Sequence, residues 1–236
     1  MKLHTSFLFQ PKSGFTFTRL NFASHCTTPA TAEKFAFKWE PGPGPKTNFT
    51  TTIKATTVAT LEIVGGKSVV CTGETSTGQY TGLKTVGSLV LKLTGCEREA
   101  AKCTSTGAAA EGEIVSTTLE GAIGIEKASV DGPLKDKVAL DLLPLGGSGP
   151  VMEFSCGLSA LSVRGSVLVP VLTDKMLSAE TLKYASSAGK QKPEKLEGQP
   201  VDVLEASLNE GPFAQTGLKL TTKLANPAKI ETNTVA

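Results

Sequence analysis

The residues of this chain best suited to do chemistry are its five cysteines, Cys26, Cys71, Cys96, Cys103 and Cys156. Cysteines bind metals, act as reactive thiols or pair as disulfides. A structural zinc site needs close pairs of Cys or His ligands, such as Cys-x-x-Cys. No such spacing occurs, and the two histidines, at positions 4 and 25, both lie near the N-terminus. We therefore predict no metal site and no cofactor.

Four of the cysteines are placed to form two disulfides. Cys96 and Cys103 bracket the short loop Glu97 to Lys102, which a local bridge would close and which is also the one helical turn that the sequence suggests. Cys71 and Cys156 each end a strand-like run, so we expect the second bridge to join them. The alternative is that all the cysteines are reduced thiols in a cytosolic protein, because disulfides persist mainly in oxidising compartments. The fifth cysteine is left over.

No catalytic motif with a nucleophile stands out. The chain lacks a Gly-x-Ser-x-Gly elbow, and its Gly-rich segment at 146–149 lacks the Lys-Ser/Thr that completes a phosphate loop. His25 adjoins Cys26, but neighbouring side chains on a strand point to opposite faces, so adjacency does not make a dyad. Paired carboxylates hydrolyse glycosides. The acids available for such a pair are Glu113, Glu120, Asp141, Glu153, Asp202 and Glu205.

A secreted hydrolase with a carboxylate-based site is therefore the alternative function. A deep cleft with two carboxylates about 5 to 9 Å apart, one of them with a raised pKa, would identify it. A sugar cleft would also be expected to present aromatic platforms, yet after residue 50 the aromatic residues are only Tyr80, Phe154, Tyr184 and Phe213. We favour a chain that is not an enzyme.

Arg164 is one of only three arginines and lies inside the apolar run from Leu161 to Leu172. A guanidinium in such a run can anchor a carboxylate ligand. An ion pair with a residue on a neighbouring strand is the interpretation that we favour, because it satisfies the charge within the fold.

These residues are expected to lie on β-strands and on the turns between them. The chain contains 30 Thr and 24 Gly, which favour short strands separated by turns. We predict an all-β protein, one large β-sandwich or barrel-like domain of about ten short strands. The candidate strands are Thr57–Val64, Lys67–Cys71, Val86–Thr94, Glu113–Glu126, Lys137–Leu143, Val151–Ser155, Ser159–Val171, Thr181–Tyr184, Val201–Leu208, Leu218–Leu224 and Lys229–Val235.

The first 50 residues differ in composition from the rest. Eight of the ten Phe and the only Trp lie there. The run Pro-Gly-Pro-Gly-Pro at 41–45 blocks both helix and strand ladder. We predict an aromatic-rich N-terminal extension at 1–50, with this Pro/Gly linker, and a β domain at 51–236. The apolar run near the N-terminus is short and interrupted, so it is not a clear signal peptide.

The aromatic residues of this extension predict a packing or assembly segment. They include Phe15, Phe17, Phe35, Phe37 and Trp39, which alternate with polar or small residues as half-buried strands do. So many large apolar groups must be covered, either by the β domain or by another copy of the chain through strand addition. If another copy of the chain covers them, the protein self-associates through this segment.

Charge and hydropathy exclude two classes of partner. The net charge is +2, and a small Lys cluster at Lys183, Lys190, Lys192 and Lys195 is better explained by a solvated loop than by a phosphate-binding face. We predict no nucleic-acid partner. No apolar run reaches the roughly 18 residues of a transmembrane helix, and the strand region lacks the aromatic girdles of a lipid-facing barrel. We predict no membrane span.

Seven stretches of the chain carry a resemblance to known proteins: Leu61–Lys67, Cys71–Gly78, Leu93–Cys96, Phe154–Gly157, Val163–Val167, Leu204–Ser207 and Gly211–Phe213. They resemble an uncharacterised family of secreted, β-rich bacterial proteins, over about residues 50–236. The resemblance implies export and paired cysteines, and it carries no activity. We therefore expect a non-catalytic extracytoplasmic β protein, extracellular or at the cell surface, that serves as a surface, matrix, binding or assembly module.

Overall fold

The computed structural model describes residues 38–40, 47–132 and 135–233. Within these residues the fold is all-β, as predicted, and the described part of the chain contains no helix that could cross a membrane. Its described strands number eighteen rather than about ten. Turns divide two of the predicted runs, Glu113–Glu126 and Ser159–Val171, and six strands lie outside all of the predicted runs, while the last two runs merge into one long strand. The strands are β1 Lys38–Glu40, β2 Asn48–Ile53, β3 Ala59–Ile63, β4 Val69–Cys71, β5 Gly73–Tyr80, β6 Thr85–Thr94, β7 Glu97–Arg98, β8 Ala101–Thr104, β9 Ile114–Val115, β10 Leu119–Lys127, β11 Lys137–Pro144, β12 Pro150–Cys156, β13 Ser159–Arg164, β14 Val167–Val171, β15 Leu177–Ser187, β16 Lys190–Lys192, β17 Glu205–Leu208 and β18 Ala214–Asn233.

The Thr-rich strands alternate between the interior and the solvent. On β5, Glu74 and Ser76 are buried while Thr75 and Thr77 are exposed. Successive side chains of a strand point to opposite faces, so one face of each strand lies against the core and the other meets water. Threonine is suited to the outer face because its branched side chain favours the extended backbone and its hydroxyl is hydrated.

Eight strands form an antiparallel barrel. Ladders join them in the order β14, β11, β10, β6, β5, β2, β18 and β15. The first and last strands of this series, β14 and β15, follow each other in the chain and lie side by side, which closes the barrel. The interior of an eight-stranded barrel is just wide enough to be filled by side chains, and here it is filled mainly by Leu and Val.

A second ring of antiparallel pairs adjoins the barrel. It runs from β18 through β3, β4, β7, β8, β12, β13 and β17 and returns to β18. Four of its ladders have at most two residue pairs, and two of these four join strands that are not consecutive in the chain: β4 and β7 share one residue pair, and β8 and β12 share two. Backbone hydrogen bonds alone hold these two junctions weakly.

A disulfide lies at each of these two junctions. Cys71 at the end of β4 is bonded to Cys96 just before β7, and Cys103 of β8 is bonded to Cys156 of β12. The four cysteines are disulfide-bonded as predicted. The predicted pairs, Cys71 with Cys156 and Cys96 with Cys103, are wrong.

The β7–β8 hairpin explains the error. The segment predicted as a loop or helical turn forms two short strands, joined by a turn in which Glu99 and Ala100 have φ of 51° and 68°. Such a two-residue turn places Cys96 and Cys103 opposite each other, and the Cys103 amide donates to the Cys96 carbonyl over 2.9 Å. Each strand of the hairpin also pairs with a strand on its outer side, β4 beside β7 and β12 beside β8. Cys96 and Cys103 form their disulfides with the cysteines of these outer strands.

The N-terminal part of the chain joins the sheet through β1 and β2. On β1, Trp39 lies opposite Thr232, and its ring meets the edge of Tyr80 with 5.0 Å between centroids. β2 begins at Asn48 and so crosses the predicted boundary at residue 50; the division into an extension and a β domain stays a prediction. The other residues of the predicted assembly segment and its linker, Phe15, Phe17, Phe35, Phe37 and residues 41–45, lie outside the described residues.

Removing either disulfide pair should lower the free energy of unfolding. The chain-entropy relation gives roughly 4 kcal/mol for the bridge over 53 residues and roughly 3.5 kcal/mol for the bridge over 25 residues. Urea unfolding of Cys103→Ala/Cys156→Ala and of Cys71→Ala/Cys96→Ala measures both, with Cys26→Ala as the control that removes neither bridge. Peptide mapping without reductant checks the connectivity, and a fragment that joins Cys71 to Cys156 would contradict it.

Candidate functional site

The outer face of β12, β13 and β17 presents a row of polar side chains. Glu153 lies opposite Ser162, and Ser162 lies opposite Ser207. Directly opposed side chains on one face of a sheet are about 5 Å apart at Cβ. Glu153 is exposed, whereas the Ser207 hydroxyl is covered and donates to the Gly211 carbonyl over 2.6 Å. The row forms a flat polar floor.

Arg164 flanks this floor. Its Nε and Nη2 donate to Oε2 of Glu205 over 3.0 and 2.8 Å, and Glu205 is the residue opposite Arg164 on β17. The predicted ion pair with a neighbouring strand is therefore confirmed. The guanidinium carbon also lies 3.7 Å from the centre of the Phe213 ring. An exposed pair of this kind contributes about 1 kcal/mol or less to stability, so its main effect is to hold the Phe213 loop beside the floor.

Two loops rise beside the floor and form a groove with two lobes. One lobe, of about 450 Å³, lies between the floor and the loop that carries Glu210 and Phe213. The other, of about 320 Å³, lies along residues 105–108 and 115–117. Thr106 and Glu153 line both lobes, so the two lobes adjoin at these residues.

The lining of the groove is rich in oxygen atoms. Glu153 and Glu210 are carboxylates, and no Lys, Arg or His is present among the described residues that line either lobe. Phe213 supplies an apolar wall. The hydroxyl groups are those of Ser105, Thr106, Ser116, Thr117, Ser155, Ser162 and Ser207. Ser105, Ser116, Thr117 and Ser207 donate theirs to backbone carbonyls, so the hydroxyls that can donate to a ligand are those of Thr106, Ser155 and Ser162. Hydroxyls donate and accept hydrogen bonds and carboxylates accept them, so this surface suits a ligand with many hydroxyl groups or with a cationic group.

Hydrogen bonds from Ser105 fix the centre of the groove. The Ser105 hydroxyl donates to the Glu153 carbonyl over 2.8 Å and accepts from the Val115 amide over 3.1 Å. The loop after β8 is thereby joined to both β9 and β12. A site held by such bonds to regular strands changes little when a ligand binds.

A second concavity lies inside the barrel. It is a cavity of about 40 Å³ with mostly Leu, Val and Phe side chains around it and with a few polar groups from adjacent strands. Pockets for organic ligands measure about 300 to 1,000 Å³, so this space holds at most a few water molecules and is too small for such a ligand. The cavity is a feature of the core rather than a ligand pocket.

Glu74 is the charged residue of that interior. It is 2% exposed and accepts a hydrogen bond of 2.5 Å from the Thr51 hydroxyl, which also contacts Ser76. Among the described residues, its second carboxylate oxygen has no hydrogen-bond partner, and neither has the buried hydroxyl of Thr222, which lines the same cavity. Burial raises the pKa of Glu74 above its ordinary value of 4.5, although the Thr51 and Ser76 hydrogen bonds lower it in part.

Two further acids have a raised pKa because they are buried, Asp141 and Glu180. Asp202 raises the pKa of Asp141 further. Glu180 accepts a hydrogen bond from the Leu172 amide at the seam between β14 and β15. Neither acid lines the groove or the barrel cavity, and Glu74 lies sealed within the barrel.

The other acids predicted as members of a catalytic pair are dispersed. Glu113 forms an ion pair with Lys92 over 2.7 Å, and Glu120 accepts a hydrogen bond from the Gly146 amide. Of the six predicted acids, Glu153 alone lines the groove. Within the described residues, no three His, Cys, Asp or Glu side chains are placed to share a metal ion.

The chain matches no family model, no curated protein and no solved structure. The site is therefore interpreted from its own geometry. Sequence reasoning selected Glu153 and Arg164 but missed the loops that form the groove walls, because they carry no motif. It also missed Glu74. This residue lies at every-second-residue spacing from Ser76 and Tyr80 on one strand, and that spacing could have indicated that its carboxylate faces inward.

The Glu74→Gln variant should be more stable than the wild type at neutral pH. Folding raises the pKa of Glu74, so the folded state favours the protonated carboxyl group. The free energy of unfolding that depends on this group is therefore fully present below pH 4.5 and is lost as the pH rises through the pKa of the folded state. Gln keeps the shape and carries no charge at any pH. The gain is about 1.4 kcal/mol for each tenfold change in the acid dissociation constant on folding.

Urea unfolding of the wild type and of Glu74→Gln between pH 4 and pH 9 tests this expectation. The difference in stability should be small at the acid end and should increase with pH. Glu153→Gln is the control, because its side chain is exposed and a surface substitution changes stability by about 0.5 kcal/mol or less. A difference that does not vary with pH would show that Glu74 has no raised pKa.

Proposed function

We propose that this chain is a non-catalytic, extracytoplasmic binding module that binds carbohydrate in the two-lobed groove. One observation carries the proposal: the groove is an open concavity of two adjoining lobes on the outer face of the fold, and its lining combines the Glu153 and Glu210 carboxylates with the hydroxyls of Thr106, Ser155 and Ser162. Sugar hydroxyls hydrogen-bond to such groups, and the apolar face of a sugar ring packs on an aromatic side chain such as Phe213.

The two disulfides indicate an oxidising, extracytoplasmic location. We propose further that the protein is extracellular or at the cell surface, a location that suits a module that binds polysaccharide. The resemblance of residues 50–236 to secreted, β-rich bacterial proteins supports the same setting, and membership of that family stays a prediction.

The placement of the acids supports binding rather than hydrolysis. A glycosidase places two carboxyl groups on either side of the scissile bond and keeps one of them protonated. The acids with a raised pKa, Glu74, Asp141 and Glu180, do not line the groove. The hydrolase is therefore the weaker alternative.

Binding of purified full-length protein to soluble polysaccharides tests the proposal. Isothermal titration with dextran, mannan, chitosan oligosaccharides and alginate covers neutral, cationic and anionic ligands. Neutral or cationic sugars should bind, and alginate should not, because two carboxylates line the groove and none of its described lining residues is a cation. Failure of all four to bind would contradict the proposal.

Groove variants show whether the bound sugar occupies the groove. Glu153→Gln and Phe213→Ala should each weaken binding about tenfold or more, since a hydrogen bond to a charged group is worth about 1.5 to 3 kcal/mol. Glu99→Gln removes the same charge at the tip of the β7–β8 hairpin and should leave the affinity unchanged. Equal affinities for all three variants would place the site elsewhere. Release of shorter sugars from the ligand would identify a hydrolase instead.

A further inference from the structure

Five exposed lysines share one outer face of the fold. Three of them belong to the Lys cluster that the sequence suggested to be a solvated loop, yet they lie on strands: Lys183 on β15, and Lys190 and Lys192 on β16. The other two, Lys219 and Lys223, lie on β18. None of the five lines the groove. We call these five residues the basic face.

The register of β15 and β18 places three of these lysines next to one another. Lys183 lies opposite Thr221, and Lys219 and Lys223 are two positions before and after Thr221. Residues two apart on a strand share a face, and the alternate residues of β18 line the barrel cavity, so these lysines face outward. Diagonal neighbours of an antiparallel ladder are about 7 to 8 Å apart. Lys183 therefore lies close to both lysines of β18.

The hairpin of β15 and β16 brings the other two lysines to the same face. Lys192 lies opposite the residue that is two positions after Lys183. The hairpin also lies against β18 at Gly217, because a Cβ on this glycine would come within 3.2 Å of the Lys190 backbone. Gly217 is two positions before Lys219. The five lysines therefore form one continuous group.

Two carboxylates lie at the basic face. Glu194 forms an ion pair with Lys192 over 2.7 Å, and Glu62 accepts a hydrogen bond of 3.3 Å from the Gly189 amide at the hairpin turn. Among the described residues, the other four lysines form no ion pair. Like charges that lie close together on a sheet repel one another. The excess of lysine therefore destabilises the fold, and an anionic partner would remove this repulsion.

Two exposed valines border the basic face. Lys219 lies opposite Thr60 on β3, and Thr60 lies opposite Val70 on β4, so these three side chains form one row. Val64 adjoins the hairpin turn, where its side chain lies within 2.6 Å of the position that a Cβ on Gly189 would occupy. Val70 and Val64 are 39% and 41% exposed. Positive charge and exposed apolar groups thus meet on one surface.

We propose that the basic face docks the protein on an anionic lipid surface. Lipid phosphates attract the lysines, and Val64 and Val70 enter the boundary between the headgroups and the acyl chains. A linear polyanion would match the lysines alone, whereas a lipid surface matches both the lysines and the valines. The docking is peripheral and is independent of the groove.

Sedimentation of the full-length protein with lipid vesicles tests the docking. Vesicles of phosphatidylcholine mixed with phosphatidylglycerol should bind the protein at low ionic strength, and vesicles of phosphatidylcholine alone should not. Added salt should weaken the binding, because it screens exposed charges. Equal binding to the two kinds of vesicle, or binding to neither, would overturn the proposal.

Lysine variants locate the docking surface. Lys183→Gln/Lys223→Gln should weaken binding to the anionic vesicles about 25-fold, since a lysine near an anionic lipid surface contributes about fivefold in affinity. Lys127→Gln/Lys137→Gln is the matched control, because it removes two exposed, opposed lysines on β10 and β11, across the barrel from β18. This control should bind like the wild type. Equal losses in the two variants would show attraction by net charge alone and would contradict docking on the basic face.

A valine variant distinguishes a lipid surface from a polyanionic polymer. Val70→Ser should weaken vesicle binding and should leave the protein folded, because the side chain is substantially exposed. Leu158→Ser, at a fully exposed leucine in the β12–β13 turn, is the control and should bind vesicles like the wild type. Inorganic polyphosphate is the polymer probe. Binding to polyphosphate that depends on Lys183 and Lys223, without binding to vesicles, would identify a polyanion as the partner and overturn the proposal.

Discussion

The hydrogen bonds of β18 are the constraint on which both rings depend. Along its 20 residues this strand pairs with β17 and β3 near its start, with β15 and β2 in its middle and with β1 at its end. Buried backbone groups must find partners, and β18 satisfies those of five other strands. Because β18 belongs to the barrel and to the second ring, neither ring can open at this strand without disrupting the other.

The covalent and non-covalent links of the second ring complement each other. Long ladders hold β12 to β13 and β3 to β18, and these junctions carry no disulfide. The two short junctions between strands that are not consecutive in the chain each have one. The groove depends on this arrangement, because its floor lies on β12 and β13 while Ser105, which fixes its centre, directly follows β8. The bridge between Cys103 and Cys156 therefore holds the wall of the groove to the floor.

The features that could be predicted from the sequence are those that depend on residues close together in the chain. Alternation and turn residues predicted an all-β fold, and the position of Arg164 in an apolar run predicted its ion pair, confirmed with Glu205. The cysteine pairing depends on which distant strands become neighbours, and spacing along the chain does not contain that information. The two groove walls were hidden for the same reason, since Thr106 and Phe213 are 107 positions apart in the sequence and meet only when β8 joins β12.

The pairing of β1 with the last residues of β18 places the two ends of the described fold side by side, with Lys38 opposite Asn233. The groove lies on strands that adjoin the first residues of β18, at the other end of the same long strand. Any attachment made through either end, to a surface or to a second protein, would thus hold the molecule by one pole and present the groove at the opposite pole.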